Sequence, residues 1–369
     1  MACLSAIGTM KSNLTGSAAL PANRETQCHW VKPQLVAQVK FAGWTRAGRL
    51  RQPVFAGLRQ DKPAAQVVRE SARPQPLPDT NRDKVFYPKT GFTKGEVLDY
   101  YREMAPVLLP HLRGRPITLK RYPDGVEGSF FYEKRCPAHA PEWIRTTRVE
   151  KSDGSTIHYC LLDDLPSLIW AVNLGNLEIH PFLHRAGSRP RPTVLMFDLD
   201  PGAPADVLDC CRTALWIRNL FLTLHLQSFV KTSGADGLQL VVPLNGSTTY
   251  ETTKSFARAV ARALASRFPG EVTADMGKIL RKGKVFIDWS QNDAKKTTVS
   301  PYSLRAQDVP SVSTPLKWEE VENAQRKMSS AKLNFMAAAV IKRVSQLGDL
   351  FSKVLTLKQQ LPPFHQEGM

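Results

Sequence analysis

The sequence contains no Cys-x-x-Cys pair. Its six cysteines are Cys3, Cys28, Cys136, Cys160, Cys210 and Cys211. The nearest approach to zinc spacing, Cys136-x-x-His139 with His158-x-Cys160, matches no common finger pattern. Neither a disulfide framework nor a structural zinc is expected, and reduced thiols in a cytosolic protein fit best. No apolar run approaches the roughly 20 residues that a membrane span needs, so no membrane partner is expected. The opening MACLSAIGTMKSNLTGSAALP lacks the charged start and compact apolar core of a secretory signal. Residues 1–28 read as a disordered leader.

Acid is scarce relative to base: 33 Asp and Glu against 50 Lys and Arg leave +17 over 369 residues. An excess of that size points to a polyanionic partner, nucleic acid foremost, with a solvated basic surface as the plain alternative. The length allows about two domains, and 42% hydrophobic residues can build a core.

SARPQPLPDT (71–80) places prolines at 74, 76 and 78 and reads as a stiff, extended linker. Before it, LVAQVKFAGW (35–44) alternates like a short strand. After it, Thr93 and Glu96 form a capping-box pattern that opens a helix through Leu108. VLMFDLD (194–200), FVKT (229–232), LQLVVPL (238–244) and KVFIDW (284–289) read as strands. Helical stretches follow Pro204 and span about 250–268. Strands mixed with helices in this order indicate an α/β or α+β catalytic domain.

Asp198 and Asp200 stand two apart on a strand and therefore share a face. Two acids side by side are costly unless a cation neutralises them, and Pro201-Gly202 ends the strand at an accessible edge. Such a pair also occurs as caps or surface acids. Asp288, flanked by apolar residues in FIDW, is a buried carboxylate that needs either a cation or an arginine partner. Three strand-borne acids in a basic domain suit two-metal phosphoryl transfer with Mg²⁺ or Mn²⁺. Lys120, Arg121, Arg281, Lys282, Lys295 and Arg305 supply bases for phosphate oxygens. SFFYEK (129–134) sets aromatics beside Lys134, either as a stacking platform for bases or as core.

These segments together carry a resemblance. NRDKVFYPKTGFTKGEVLDYY, LRGRPITLKRYPDGVEGSFFYEK, NLEIHPF, FDLDPG, KTSGADGL and KVFIDWSQNDAKKTTVSPYSLRA resemble, in order, the polymerase domain of bacterial ligase D in the archaeo-eukaryotic primase superfamily. The resemblance covers about residues 81–345 and leaves 346–369 as a tail. It implies mixed sheets carrying the acidic site, with Asp198, Asp200 and Asp288 binding two catalytic metals. Lys120, His180, Ser233, Gly234, Gln239, Arg281, Gln291 and Arg305 would contact the incoming NTP or dNTP. Phe131 and Tyr132 would stack on the template, and Asn81, Lys84 and Lys94 would hold the 5′-phosphate of a recessed DNA end. The implied activity is template-dependent nucleotidyl transfer that fills short gaps in non-homologous end joining, with a preference for ribonucleotides. Ku and a ligase or nuclease are the implied partners, and a bacterial cytoplasmic, nucleoid-associated location follows. A catalytically weakened module that grips DNA ends for a separate ligase is the alternative.

GRLRQPVFAGLRQDKPA resembles the closing motif of an ATP-dependent DNA ligase, through Arg51, Pro53, Phe55, Gly57, Arg59, Asp61 and Lys62. Residues 29–70 therefore read as a ligase remnant. The one Lys-x-Asp-Gly, Lys151-Ser152-Asp153-Gly154, lies on the wrong side of it and reads as a polar turn, so ligase activity is not expected.

The departures from the polymerase pattern fall in one loop. Ser-Gly-Gly-Lys-Gly-Leu-His is usual in the family, and here Asp236 and Gln239 replace the lysine and the histidine. Losing a charge-assisted bond costs roughly 1.5–3 kcal/mol. Repulsion of phosphates by Asp236 adds at most about 4 kcal/mol at contact distance.

Overall fold

The computed structural model describes residues 2–5, 34–41, 43–44, 50–61, 63–64, 78–150, 153–187, 191–330 and 333–363. Most of the expected leader, the linker up to residue 77, Lys62 and Lys151 lie outside the described residues. The chain divides into two compact units, Met1–Gln75 with Ala140–Trp143, and Pro76–His139 with Ile144–Met369.

The first unit holds β1 (Ala2–Ser5), β2 (Val36–Lys40), β3 (Gly43–Trp44), β4 (Leu50–Arg51) and β5 (Val54–Arg59). An antiparallel sheet runs β1-β2-β5, and β3 pairs separately with β4. β1 falls inside the stretch expected to be an unstructured leader. It pairs with the edge of β2 that β5 leaves open, satisfying backbone groups there.

The second unit opens with a hairpin of β6 (Val85–Tyr87) and β7 (Phe92–Thr93). Thr93 then caps α1 (Lys94–Leu112), and its side chain and that of Glu96 form the reciprocal capping box. Next come β8 (Pro116–Arg121), β9 (Phe131–Glu133), β10 (Thr146–Glu150), β11 (Thr156–Leu161), α2 (Leu165–Asn173) and β12 (Asn176–Pro181). They build a five-stranded antiparallel sheet ordered β10-β11-β8-β12, with β9 also on β8.

The second half of this unit follows as β13 (Val194–Pro201), α3 (Val207–Thr223), β14 (Phe229–Thr232), β15 (Leu238–Pro243), α4 (Tyr250–Arg267), β16 (Val272–Thr273), β17 (Val285–Asp288), β18 (Pro315–Leu316), α5 (Trp318–Lys327) and α6 (Ala337–Leu347). Its six-stranded sheet runs β16-β17-β13-β15-β14-β18 and is antiparallel except for β16-β17. Period-two alternation splits β13 between two environments. Leu195, Phe197 and Leu199 pack with Cys210, Ile217 and Phe221 of α3 and Phe256 and Val260 of α4. The opposite face carries Val194 and Met196, in a smaller cluster with Phe351 and Val354, and then Asp198 and Asp200. Within residues 346–363, part of the stretch that the sequence suggests as a tail, Phe351 and Val354 are buried and anchor the segment.

One expectation is corrected. Cys136 and Cys160 are joined in a disulfide, with Cα atoms 5.0 Å apart, while Cys210 and Cys211 are free and buried. The backbone N–H of Cys136 donates to the carbonyl of His158 at 2.7 Å, which lays the segment after β9 alongside β11. That proximity across 24 residues of chain is invisible in the spacing of cysteines along the sequence.

Candidate active site

Asp198 and Asp200 project from the same face of β13, and Asp288 ends β17 as the cross-strand partner of Asp198. Burial pushes the Asp198 carboxyl up to about 7, with Asp200 and Asp288 adding to the shift and Gln239 and Lys231 opposing it. Burial raises Asp200 as well, helped by Asp288 and opposed by Arg281 and Arg305. Asp198 Oδ1 is buried without a hydrogen-bond partner. Asp288 is better held: its Oδ1 accepts from the backbone N–H of Ser290 at 2.9 Å and from the Ser290 hydroxyl, and its Oδ2 accepts from Gln291 Nε2 at 3.0 Å. Lys296 Nζ donates to Ser290 Oγ and braces that arrangement.

These carboxylates fit a hard divalent cation. Like charges on neighbouring strands raise one another's pKa, and an orphaned buried oxygen is the group such an ion would satisfy. Among the described residues no three His, Cys, Asp or Glu close into a cage. A cation held here would complete its oxygen shell from water and substrate, as Mg²⁺ sites commonly do.

A cavity of about 550 Å³ opens over this face. Of the residues expected at the site, His180, Asp198, Asp200, Ser233, Gln239, Gln291, Arg305 and Tyr132 line it, joined by Lys134, Asp236, Lys295 and Lys296. Its floor includes the turn Ser233–Gly237, where Ser233 Oγ accepts from the backbone N–H groups of Ala235 and Gly237 at 3.2 and 3.1 Å. Two of the amides that an anion cradle would offer are thus used within the loop itself. Gly234 takes a φ of +76°, and a Cβ there would stand 2.6 Å from Arg305 Cγ. At Gly237 a Cβ would meet the Leu199 carbonyl oxygen at 2.1 Å. Only glycine allows this loop to lie so close to β13. Asp236 is exposed at the cavity wall, whereas Gln239 is buried, its Nε2 donating to Thr298 Oγ1 at 3.3 Å.

Three expected nucleotide contacts converge on a residue that the sequence reading did not single out. Glu178, 1% exposed on β12, accepts from Lys120 Nζ at 2.9 Å, His180 Nε2 at 2.9 Å, Arg305 Nε at 3.1 Å and the backbone N–H of Ala306 at 3.2 Å. Burial alone would raise its pKa, but the His180 hydrogen bond and the charges of Arg305 and Lys120 overcome it and hold the carboxyl well below the usual range. An acid two residues before a histidine on an otherwise apolar strand was the available signal, in NLEIHPF. Lys231 was also missed. It is buried on the acid-bearing face, its Nζ donates to Ser313 Oγ, and burial pushes its pKa down to about 7 against the pull of Asp198.

Arg281 stands outside the cavity lining. Its guanidinium lies 3.7 Å from the Phe286 ring centroid, and Nη2 donates to the Met276 carbonyl at 2.7 Å. Phe131 and Tyr132 are exposed at 43% and 56%, so these two rings of SFFYEK are not core. Arg121 stacks on Phe131 at 5.1 Å, and Lys120 sits among Tyr122, Phe130 and Tyr132 at 4.8–5.7 Å. Asn81, Lys84 and Lys94 gather about one turn, where Lys84 N donates to Asn81 O and Lys94 N to Lys84 O. Lys84 Nζ pairs with Asp124 at 2.6 Å, and Lys94 Nζ reaches Thr80 Oγ1 at 3.0 Å.

Three carboxylates on adjacent strands of a mixed sheet, two of them facing a nucleotide-sized cavity beside exposed rings, define a nucleotidyl-transfer domain. The family described as the LigD primase-polymerase domain matches residues 93–351. The multifunctional non-homologous end joining protein LigD of Mycolicibacterium smegmatis is 40% identical over 275 residues, covering 74% of this chain and 35% of that protein. The bifunctional non-homologous end joining protein LigD of Bacillus subtilis is 31% identical over 325 residues, covering 86% and 51%. The polymerase domain of Mycobacterium tuberculosis ligase D, solved in complex with DNA, aligns with a TM-score of 0.71 at 36% identity, covering 77% of this chain and 99% of that one. The chain belongs to the LigD primase-polymerase domain family. It spans about a third to a half of the length of these curated relatives. The ATP dependent DNA ligase C terminal region matches residues 4–62, a start well before residue 29.

Proposed function

We propose that this chain adds nucleotides to DNA ends in a template-directed reaction, filling short gaps during non-homologous end joining. The single observation that carries this reading is the cross-strand set of Asp198, Asp200 and Asp288, the first two lining the cavity, with one buried carboxylate oxygen unpartnered. Asp198, Asp200 and Asp288 would hold two Mg²⁺ or Mn²⁺ ions, which when bound neutralise phosphate charge and activate the attacking 3′-hydroxyl. The protein's own part is positioning. Glu178 sets His180 and Arg305 in fixed orientations on one wall and holds Lys120 behind it. Gln291 steadies Asp288, and the glycines of the Ser233 turn keep the floor low enough for a nucleotide to enter. Phe131 and Tyr132 offer their faces to unstacked template bases, a contact typically worth about 1–3 kcal/mol per base.

Asn81, Lys84 and Lys94 form the candidate seat for a recessed 5′-phosphate, which would displace Asp124 from Lys84. The relatives are named for non-homologous end joining, and the structural neighbour was solved with DNA; both support DNA ends as substrate here. A separate ligase or nuclease and Ku are the partners this reading calls for, in a bacterial cytoplasm near the nucleoid. Among the described residues no helix is long and apolar enough to cross a membrane.

Asp236 favours a second reading, a DNA-end-binding module with weakened catalysis, because it places an acid on the wall where phosphates would lie. Gap filling on a 5′-phosphorylated recessed duplex with Mn²⁺ and ribonucleotides decides between the two. The expected result is extension by the wild type and a loss of at least about a thousandfold in Asp198→Ala, consistent with removal of a main electrostatic contributor. DNA binding without extension by the wild type would sink the catalytic reading and leave the binding module.

A further inference from the structure

Cations on the cavity wall are not equally available. Arg305 is held by Glu178 and by the carbonyl of Ser233, and His180 is held by Glu178. Lys296 donates to Ser290 Oγ, and Lys120 lies behind the wall, bound to Glu178 among aromatic rings. Two lysines differ. Lys134 follows β9 of the five-stranded sheet, and Lys295 follows β17 of the six-stranded sheet. Both line the cavity, both are exposed, and among the described residues neither side chain forms a hydrogen bond or an ion pair.

The acids on the same wall make those two charges matter. Asp198, Asp200 and Asp236 all face the cavity. Two divalent ions would serve the first two and leave Asp236 uncompensated against a polyphosphate. We infer that Lys134 and Lys295 grip the phosphates of the incoming nucleoside triphosphate, supplying from the two sheets the positive charge that the Ser233–Gly237 loop does not. This rests on the nucleotidyl-transfer reading of the cavity. A lysine on a long flexible stem suits the task, because it acts as a mobile point charge and needs no fixed fork geometry. The placement on two separate sheets also makes the grip depend on the width of the cavity.

The test is equilibrium binding of ATP with Mn²⁺, and of AMP with Mn²⁺, to the full chain and to Lys134→Ala, Lys295→Ala and the double variant. DNA binding is followed in parallel by fluorescence anisotropy. Each alanine should weaken ATP binding about fivefold and the double variant about twentyfold, typical of exposed charge-assisted contacts. AMP binding should change less than about twofold, and Lys→Arg at either position should restore most of the ATP affinity. In gap filling the variants should raise KM for the nucleotide and leave kcat nearly unchanged. ATP affinity unchanged in the double variant overturns the inference, as does an equal loss of ATP and AMP, or a loss confined to DNA. Wild-type protein that binds ATP through these lysines but extends no primer keeps the inference and removes the catalytic reading. Wild-type protein that binds no ATP overturns both.

Discussion

Glu178 and the Asp198–Asp200–Asp288 set are both knots of carboxylate on a β-sheet face, yet the fold leaves them in opposite conditions. Glu178 is surrounded by donors, with Lys120, His180, Arg305 and a backbone amide on its two oxygens, and its pKa is held low. Asp198 has an orphaned oxygen and two acidic neighbours, and its pKa is pushed up to about 7. The first is a finished internal ion cluster whose charge is balanced from within. The second is balanced only when something arrives from outside. A buried carboxylate therefore signals a binding site here through its lack of partners and not through burial itself.

The sharpest way to break that comparison is to neutralise each centre in turn. Glu178→Gln leaves two cations, Lys120 and Arg305, without their shared anion, and takes the carboxylate away from His180, whose own pKa burial pushes down. Removing one member of such a cluster should lower the free energy of unfolding by about 3–5 kcal/mol, read from the midpoint of urea denaturation. Asp198→Asn in metal-free protein should go the other way and stabilise the fold, because it relieves repulsion among the acids. If Glu178→Gln unfolds at the wild-type urea concentration, the hub is not structural and the contrast collapses.

The same two centres give opposite responses to pH. Asp198, with an ordinary value of 3.8 and a folded value of about 7, keeps its proton in the folded chain after the unfolded chain has lost it. Stability of the chelator-treated protein therefore falls as pH rises from about 4 to 7. Glu178, held below its ordinary 4.5, contributes stability that is fully present above that value and is lost as pH falls beneath it. Asp198→Asn should flatten the decline between pH 4 and 7. The expected gain is on the order of 2 kcal/mol at pH 7, about half of the full shift at about 1.4 kcal/mol per unit, because Asp200 and Lys231 relax with it. Thermal unfolding of both proteins across that range, with chelator, measures it; parallel curves would show that Asp198 does not carry the raised proton affinity.

How much of this was legible in the sequence follows the range of the interactions. The capping box at Thr93, the strand 194–201 and the same-face pair Asp198 and Asp200 depend on neighbours within a few residues, and the structure reproduces them. The pairing of Asp198 with Asp288 spans two strands but was marked by the apolar frame of FIDW. Glu178 escaped because its partners come from β8, its own strand and the loop at Arg305, and no local pattern joins those segments. The disulfide escaped for the same reason: Cys136 meets Cys160 only because the segment after β9 lies along β11. Arg281, expected at the nucleotide, lies over Phe286, donates to the Met276 carbonyl and is near enough to lower the Asp200 pKa, contacts that no local pattern announces.

The smallest effect concerns the loop. From the sequence, Asp236 looked able to oppose phosphates by as much as about 4 kcal/mol at contact distance. The side chain is exposed on the cavity wall, where water screens it and it can turn aside. Asp236→Lys should accordingly lower KM for the nucleotide by only about two- to fivefold in gap filling, the scale of an exposed charge pair. The background in which it is measured sharpens the result. With Lys134 and Lys295 intact, the added lysine is a third cation facing the same phosphates and gains little. In Lys134→Ala/Lys295→Ala it becomes the only uncommitted lysine among the described residues of the wall, so its effect on KM should be larger there than in the wild type. Non-additivity of that sign is what groups sharing one ligand produce. Equal effects in the two backgrounds would mean that the loop and the two lysines act on different parts of the nucleotide.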